Sequence, residues 1–186
     1  MIIGLTGSYC AGKDTVAEYL VKERRYAHYS LSDVIREEMK KAGIDTTREN
    51  LISFGTKLRT ENGNGVLAKK VLAKIDDSKN YCITSIRHPD EVKELQKNKR
   101  FVLINVDAPQ KIRFERMLQR NRAGDPKTFE DFVRLEKMES QSSGSGQQLV
   151  KTARLADIVF INDSNDMETM KTSVNEMLKQ AEQDHV

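Results

Sequence analysis

The 186-residue sequence has no tryptophan, 6% aromatic residues and two cysteines, Cys10 and Cys82. So few aromatics imply a core built mainly from aliphatic side chains. Two cysteines this far apart give neither a metal-ligand spacing nor a disulfide framework. Apolar runs are short, none nearing the roughly eighteen residues of a membrane span. The chain passes from Met1 directly into a strand-like run, so no signal peptide is expected and a reducing cytoplasm is the expected setting. Charged residues are abundant at 32%, yet the formal net charge is only +3. That balance suits a small anionic molecule and lacks the clustered basic stripe of a nucleic-acid binder. The length allows one full core, so a single domain over residues 1–186 is expected.

The most informative stretch is Gly7-Ser8-Tyr9-Cys10-Ala11-Gly12-Lys13-Asp14-Thr15, between the apolar run of residues 2–5 and the helical pattern of residues 16–20. Two glycines five positions apart let the chain curl so that backbone N–H groups point at a polyphosphate, and the following helix adds the positive end of its dipole. Lys13 then reaches the outer phosphates as a point charge. A standard loop closes with Ser or Thr after the lysine, whereas here Asp14 follows and Thr15 comes one place later. Asp14 is a hard oxygen ligand of the kind that magnesium accepts.

Short apolar runs alternate with helical patterns from end to end, the signature of an α/β fold with a parallel sheet flanked by helices. Strands are predicted at residues 2–6, 27–30, 81–86, 101–106 and 158–161. After the second strand, Ser32 can cap a helix with Asp33 in its first turn. Asp33 either complements the helix dipole or lies at the strand ends where ligands bind in such folds. Thr46 and Glu49 read as a capping box before a helix carrying Leu51, Ile52 and Leu58, and helix resumes over residues 66–76. The third strand runs into Arg87-His88-Pro89, where Pro89 opens a helix and His88 reads as a turn residue.

Beyond the fourth strand, Phe114, Met117 and Leu118 should face the core while Arg113, Arg116 and Arg120 recur on another face, with Arg122 behind them. Stacked like charges cost stability unless neutralised, either by acids such as Glu115 or by a phosphate. Thr128 can cap a helix with Phe129, Phe132 and Leu135. The Ser-, Gly- and Gln-rich residues 140–148 are either a surface loop or the edge of a lid. Asn165 and Glu168 read as a capping box for a last helix with Met167, Met170, Val174, Met177 and Leu178 as core filler.

Several stretches carry a resemblance: Gly12-Lys13-Asp14-Thr15, Ser32-Asp33-Val34-Ile35-Arg36, Gly55-Thr56-Lys57-Leu58-Arg59, Ser85-Ile86-Arg87, Arg116-Met117-Leu118-Gln119-Arg120, and Ala156-Asp157 leading to Asn162. In this order the chain resembles the P-loop nucleoside- and nucleotide-kinase group. It is similar in particular to archaeal adenylate-kinase-like proteins, phage deoxynucleoside monophosphate kinases and the amino-terminal half of some deoxycytidylate deaminases. The opening residues 1–7 also resemble dephospho-CoA kinases. The resemblance implies a P-loop three-layer α/β/α sandwich with strand order 2-3-1-4-5, a helical acceptor-binding region at about residues 31–78 and a lid at about 120–150. It implies ATP and Mg2+ as cofactors, with γ-phosphoryl transfer to a nucleoside or deoxynucleoside monophosphate.

By the same resemblance Gly7, Ser8, Ala11, Gly12, Lys13, Asp14 and Thr15 hold the donor, and Asn162 lies against its base. Arg36, Arg59 and Arg87 bind the acceptor phosphate, Asp33 orients the acceptor, and Arg116 and Arg120 meet the donor phosphates. Dephospho-CoA phosphorylation and a nucleotide-binding regulatory or assembly role are the alternatives. One departure bears on them: relatives carry an acid at the end of the third strand, and this chain has Thr84-Ser85 there. If Asp14 helps to hold magnesium, Asp14→Asn raises the magnesium requirement of any activity. A magnesium titration unchanged by that substitution counts against the assignment.

Overall fold

The computed structural model describes residues 1–122, 124–140 and 144–183. Its elements are β1 (Ile2–Gly7), α1 (Lys13–Lys22), β2 (Ala27–Ser30), α2 (Leu31–Lys41), α3 (Arg48–Asn62), α4 (Val66–Leu72), β3 (Tyr81–Thr84), α5 (Pro89–Leu95), β4 (Phe101–Asp107), α6 (Gln110–Arg120), α7 (Phe129–Ser140), α8 (Leu149–Ala153), β5 (Ile158–Ile161) and α9 (Met167–Gln183). The strands form one parallel sheet in the order β2-β3-β1-β4-β5. This is the P-loop three-layer α/β/α sandwich, with the strand order that the resemblance implied.

Alternation along the central strands sorts the core into two layers. Ile3, Leu5, Val102, Ile104 and Val106 face α1 and α9, where Val16, Leu20, Met170, Val174 and Leu178 meet them. Ile2, Ile83, Phe101 and Leu103 face the other way, against Leu31, Val34, Met39 and Leu67 of α2 and α4 and Val92 of α5. Burial on both faces explains the nearly continuous apolar composition of β1 and β4. The order reverses at β1, between β3 and β4, and in open parallel sheets the crevice at such a switch point, beyond the strand ends, receives ligands. The loop after β1 opens into that crevice.

Several boundaries differ from the sequence reading. β3 stops at Thr84 because Ser85 turns to a φ of 62° and leaves the extended region. α4 ends at Leu72 rather than at residue 76. The cap of α2 is Ser30 instead of Ser32, and that of α3 is Thr47, whose hydroxyl accepts from Asn50 N, instead of Thr46. α9 is started by Asp166, whose carboxylate accepts from Thr169 N at 2.7 Å, instead of Asn165. His88 is the N-cap of α5, in a capping box with Glu91 and with Pro89 at the first helical position. Leu118 and Met167, expected in the core, are exposed at 43% and 50%. Of residues 140–148, Gln141, Ser142 and Ser143 lie outside the described residues; Gln147 and Gln148 are tied down by hydrogen bonds, and α8 follows.

Gly7 shows how tightly β1 delivers the loop. Its φ is +132°, and a Cβ there would sit 2.0 Å from the Val106 carbonyl oxygen of β4, which a central strand cannot withdraw. Gly7→Ala should therefore lose about 3 kcal/mol or more, read as a lowered urea midpoint. Gly43→Ala, also at positive φ (+67°) but in open space, should lose about 1 kcal/mol. Equal losses at the two positions would contradict the packing argument.

Candidate functional site

Between β1 and α1 the chain turns through Cys10 and Gly12, with φ of 58° and 93°. Gly12 is the N-cap of α1 and supplies no side-chain cap, so the partial positive charge of the first helical turn stays available to an anion. Lys13 begins the helix and donates to Gly7 O at 3.0 Å and Ser8 O at 2.6 Å. The turn is fastened from behind. Asn162, just past β5, donates through Nδ2 to Ala11 O at 2.9 Å and through its backbone to Asp107 O at 2.7 Å. A Cβ on Gly12 would lie 2.2 Å from that Nδ2, so this close approach requires glycine.

A cleft of about 550 Å³ opens over the loop, with Lys13, Asp14, Thr15, Asn162, Arg116 and Arg120 on its walls. Arg116 bonds Asn165 Oδ1 at 2.9 Å and Ser164 O at 2.8 Å. Arg120 lies 4.8 Å over the Tyr9 ring and bonds both the Tyr9 hydroxyl and Asp125 Oδ2, the latter at 2.8 Å. Tyr9 in turn donates to Asp125 Oδ1 at 2.8 Å. Arg113 is buried and reaches neither cleft; it bonds Ala108 O at 2.8 Å and Glu136 of α7. The arginine face of α6 is therefore neutralised mainly by Asp125 and Glu136, from other elements, and not by Glu115.

A second cleft, of about 680 Å³, adjoins the first and shares Tyr9, Asp14, Arg87 and Arg122 with it. Asp33, Arg36, Arg59 and Arg87 all line it. Arg36 bonds Asp33 Oδ1 at 2.7 Å and Ser32 Oγ at 2.8 Å. Arg59 is buried, and its Nε and Nη2 bond Glu91 Oε1 at 3.0 and 2.7 Å. Glu91 Oε2 accepts from the backbone N–H groups of Arg87 and His88 at 2.8 and 3.0 Å. Arg87 also donates to Gln147 Oε1 at 3.0 Å. His88 is occupied structurally: Nδ1 accepts from Asp90 N, which leaves Nε2 to donate to Gly144 O at 3.0 Å.

Every residue given a donor, acceptor or metal role in the sequence thus lies on the loop or on one of the two clefts, whereas Arg113 lies on neither. Gly7 borders a small recess with Lys13, Asp14 and Ser85, while Ser8 and Ala11 contribute their carbonyls. Tyr9, Asp125 and Gln147 also line the second cleft and were given no role in the sequence, whereas Ser85, noted there only as standing in place of an acid, lines it too.

Electrostatics set the state of the loop lysine. Some of its surface reaches solvent, yet neighbouring atoms enclose Lys13; that burial, with Arg87 nearby, lowers its pKa from 10.5 to about 8. Burial likewise pushes the Cys10 thiol up, away from the thiolate form. A lowered folded-state value means that between pH 8 and 10.5 the unfolded chain binds more protons, so this group contributes stability that rises with pH across that window. A bound polyanion favours the charged form and draws a proton onto Lys13. Polyphosphate binding at pH 8.5 should therefore take up protons, measured as calorimetric heats that vary with buffer ionisation enthalpy. Lys13→Met should abolish that dependence, and its persistence would assign the proton to another group.

Comparison with known proteins agrees with this geometry. A protein-family profile described as AAA domain matches residues 6–134. A UPF0200 protein of Pyrococcus horikoshii is 36% identical over 170 residues, covering 88% of both chains. A UPF0200 protein of Sulfurisphaera tokodaii is 32% identical, covering 96% of both. Among solved structures, shikimate kinase from Bacteroides thetaiotaomicron superposes with a TM-score of 0.60 at 16% identity, over 98% of each chain. Shikimate kinase from Aquifex aeolicus does so with a TM-score of 0.56 at 19% identity, over 99% of this chain and 98% of that one. Identities this low establish the shared fold alone. Strand order, loop, family profile and relatives converge: the chain belongs to the UPF0200 family and carries an AAA domain with the P-loop kinase fold.

Proposed function

We propose that this protein transfers the γ-phosphoryl group of ATP to a nucleoside or deoxynucleoside monophosphate. The observation that carries the reading is the pair of adjoining, cation-lined clefts sharing Asp14 and Arg87, one built on the phosphate loop and the other on Arg36 and Arg87. A protein that only senses a nucleotide needs no second phosphate site. In this reading the loop amides of residues 7–15 and Lys13 grip the donor, with Arg116, Arg120 and Asn162 along its length. Arg36, Arg59 and Arg87 meet the acceptor from α2 to α4 and the β3–α5 turn, and Asp33 orients it. Residues 120–150 cover the reacting groups, all within one domain.

An oxygen of the acceptor phosphate attacks the γ-phosphorus, the bond from that phosphorus to the β–γ bridging oxygen breaks, and ADP leaves. A phosphate nucleophile is already ionised, so no proton need be removed; positioning and charge neutralisation carry the catalysis. A hydroxyl acceptor, as dephospho-CoA would present, needs a base, and Asp33 is held by Arg36 at 2.7 Å.

Magnesium fits the residues present. It takes one or two carboxylates with substrate phosphates and water, and Asp14 offers one exposed carboxylate facing both clefts, with Thr15 beside it. Among the described residues no cluster of three or more acids, histidines or cysteines forms a preassembled cage. When bound, the ion would offset phosphate charge between Lys13 and the arginines.

The test is ATP consumption across ribo- and deoxynucleoside monophosphates, dephospho-CoA and shikimate, with Lys13→Ala as control. Stimulation by a monophosphate, abolished in Lys13→Ala, is the expected result. Hydrolysis indifferent to every acceptor would leave the regulatory reading standing instead.

A further inference from the structure

We infer that Ser85 is a hydrogen-bond donor to the acceptor's phosphate, its hydroxyl standing where the second cleft meets the small recess beside Lys13; this rests on the phosphotransfer reading above. Ser85 lines both the recess holding Lys13 and Asp14 and the cleft holding Arg36 and Arg87. It does so from a φ of 62°, a conformation that costs a non-glycine residue about 1–2 kcal/mol and that tends to persist where function holds it.

Its hydroxyl belongs to a cluster with Ser30 and Ser32 that Arg36 reaches from one side. Arg36 Nη1 can only donate, so Ser32 Oγ accepts from it at 2.8 Å. In the next two contacts either oxygen can donate, because a hydroxyl has two acceptor sites; an anion arriving at Ser85 favours the arrangement in which Ser32 donates to Ser30 Oγ at 2.8 Å and Ser30 to Ser85 Oγ at 2.9 Å. The Ser85 proton is left with Ser32 at 3.4 Å, beyond the usual range for an O–H···O bond. In that arrangement a chain that starts at a guanidinium ends in a polarised donor whose partner inside the protein is distant.

A carboxylate at the end of the third strand only accepts, as from metal-bound water, whereas the Ser85 hydroxyl can also offer a proton. Its natural partner is an anionic oxygen. The phosphate that comes within reach of Arg36 and Arg87 presents one, on the side toward Lys13.

The experiment compares Ser85→Ala and Ser85→Gly. Both remove the hydroxyl, but only glycine relieves the backbone, so Ser85→Gly should melt at or above the parent temperature. With the monophosphate from the panel that gives the highest rate, kcat/KM for that acceptor should fall about a hundredfold in both variants. KM for ATP and the magnesium titration should not move. Retained activity in Ser85→Gly alone would mean that the backbone, not the hydroxyl, matters, and would overturn the inference. A raised magnesium requirement would also overturn it, by placing Ser85 on the metal's water.

A second readout separates this idea from the kinase reading. Inorganic phosphate titrated calorimetrically into Lys13→Ala protein probes the second cleft with the loop disabled. Adding Ser85→Ala should weaken that binding about tenfold, whether or not any acceptor is ever phosphorylated. Equal binding with and without the hydroxyl would sink the inference even in an active enzyme.

Discussion

Glu91 holds the site together. Its carboxylate is fully buried and accepts four N–H bonds, two from Arg59 of α3 and one each from the backbone of Arg87 and His88. A buried carboxylate without partners would be costly, and removing one partner from such a pair typically costs about 3–5 kcal/mol. Against a total stability of roughly 5–15 kcal/mol for a domain, that coupling is large. It fixes the turn after β3, which carries Ser85 and Arg87, against the helices that form the far wall of the second cleft. The same turn receives Gln148 N on the Arg87 carbonyl at 2.8 Å, so residues 147–148 are anchored to it as well.

The pairing also changes the count of charges available to a ligand. Arg59 borders the cleft with its charge largely balanced by Glu91, and Arg36 shares its own with Asp33. Arg113, first in the basic series on α6, is wholly structural. The positive potential over the clefts is thus borne chiefly by Lys13, Arg116 and Arg122, with Arg87 between the two. Basic composition alone overstates what an anion meets.

The fold was largely legible because its signals are local and periodic: five apolar runs, a glycine-lysine loop and helical stripes give the strand order once the P-loop resemblance is added. The errors have physical causes. Each misplaced helix start lies next to a rival capping residue, Ser30 and Ser32, Thr46 and Thr47, Asn165 and Asp166, and propensity does not choose between neighbours of equal capping ability. β3 was drawn too long because Thr-Ser-Ile reads as strand, and nothing local announces the positive φ at Ser85. The site residues that escaped notice act through partners far along the chain. Glu91 finds Arg59 at a separation of 32 residues and Tyr9 finds Asp125 at 116, and neither spacing leaves a periodic trace.

The departures from the usual loop pattern are physically connected. An acid directly after the lysine puts a carboxylate at the mouth of both clefts, and a second acid at the end of β3 would stand close to it without a cation between them. Serine at that place avoids the repulsion and completes a hydroxyl chain from Arg36. The loop lysine, its charge disfavoured by burial and by Arg87, gains most from an arriving polyanion because the anion relieves both penalties at once. Loop, serine cluster and buried glutamate are each held by hydrogen bonds within the protein, which gives an arriving phosphate a fixed set of groups to meet. In the proposed reading, a carboxylate on the loop instead of on the third strand shifts where a metal would be held, while the cationic grip on phosphate stays where the fold puts it.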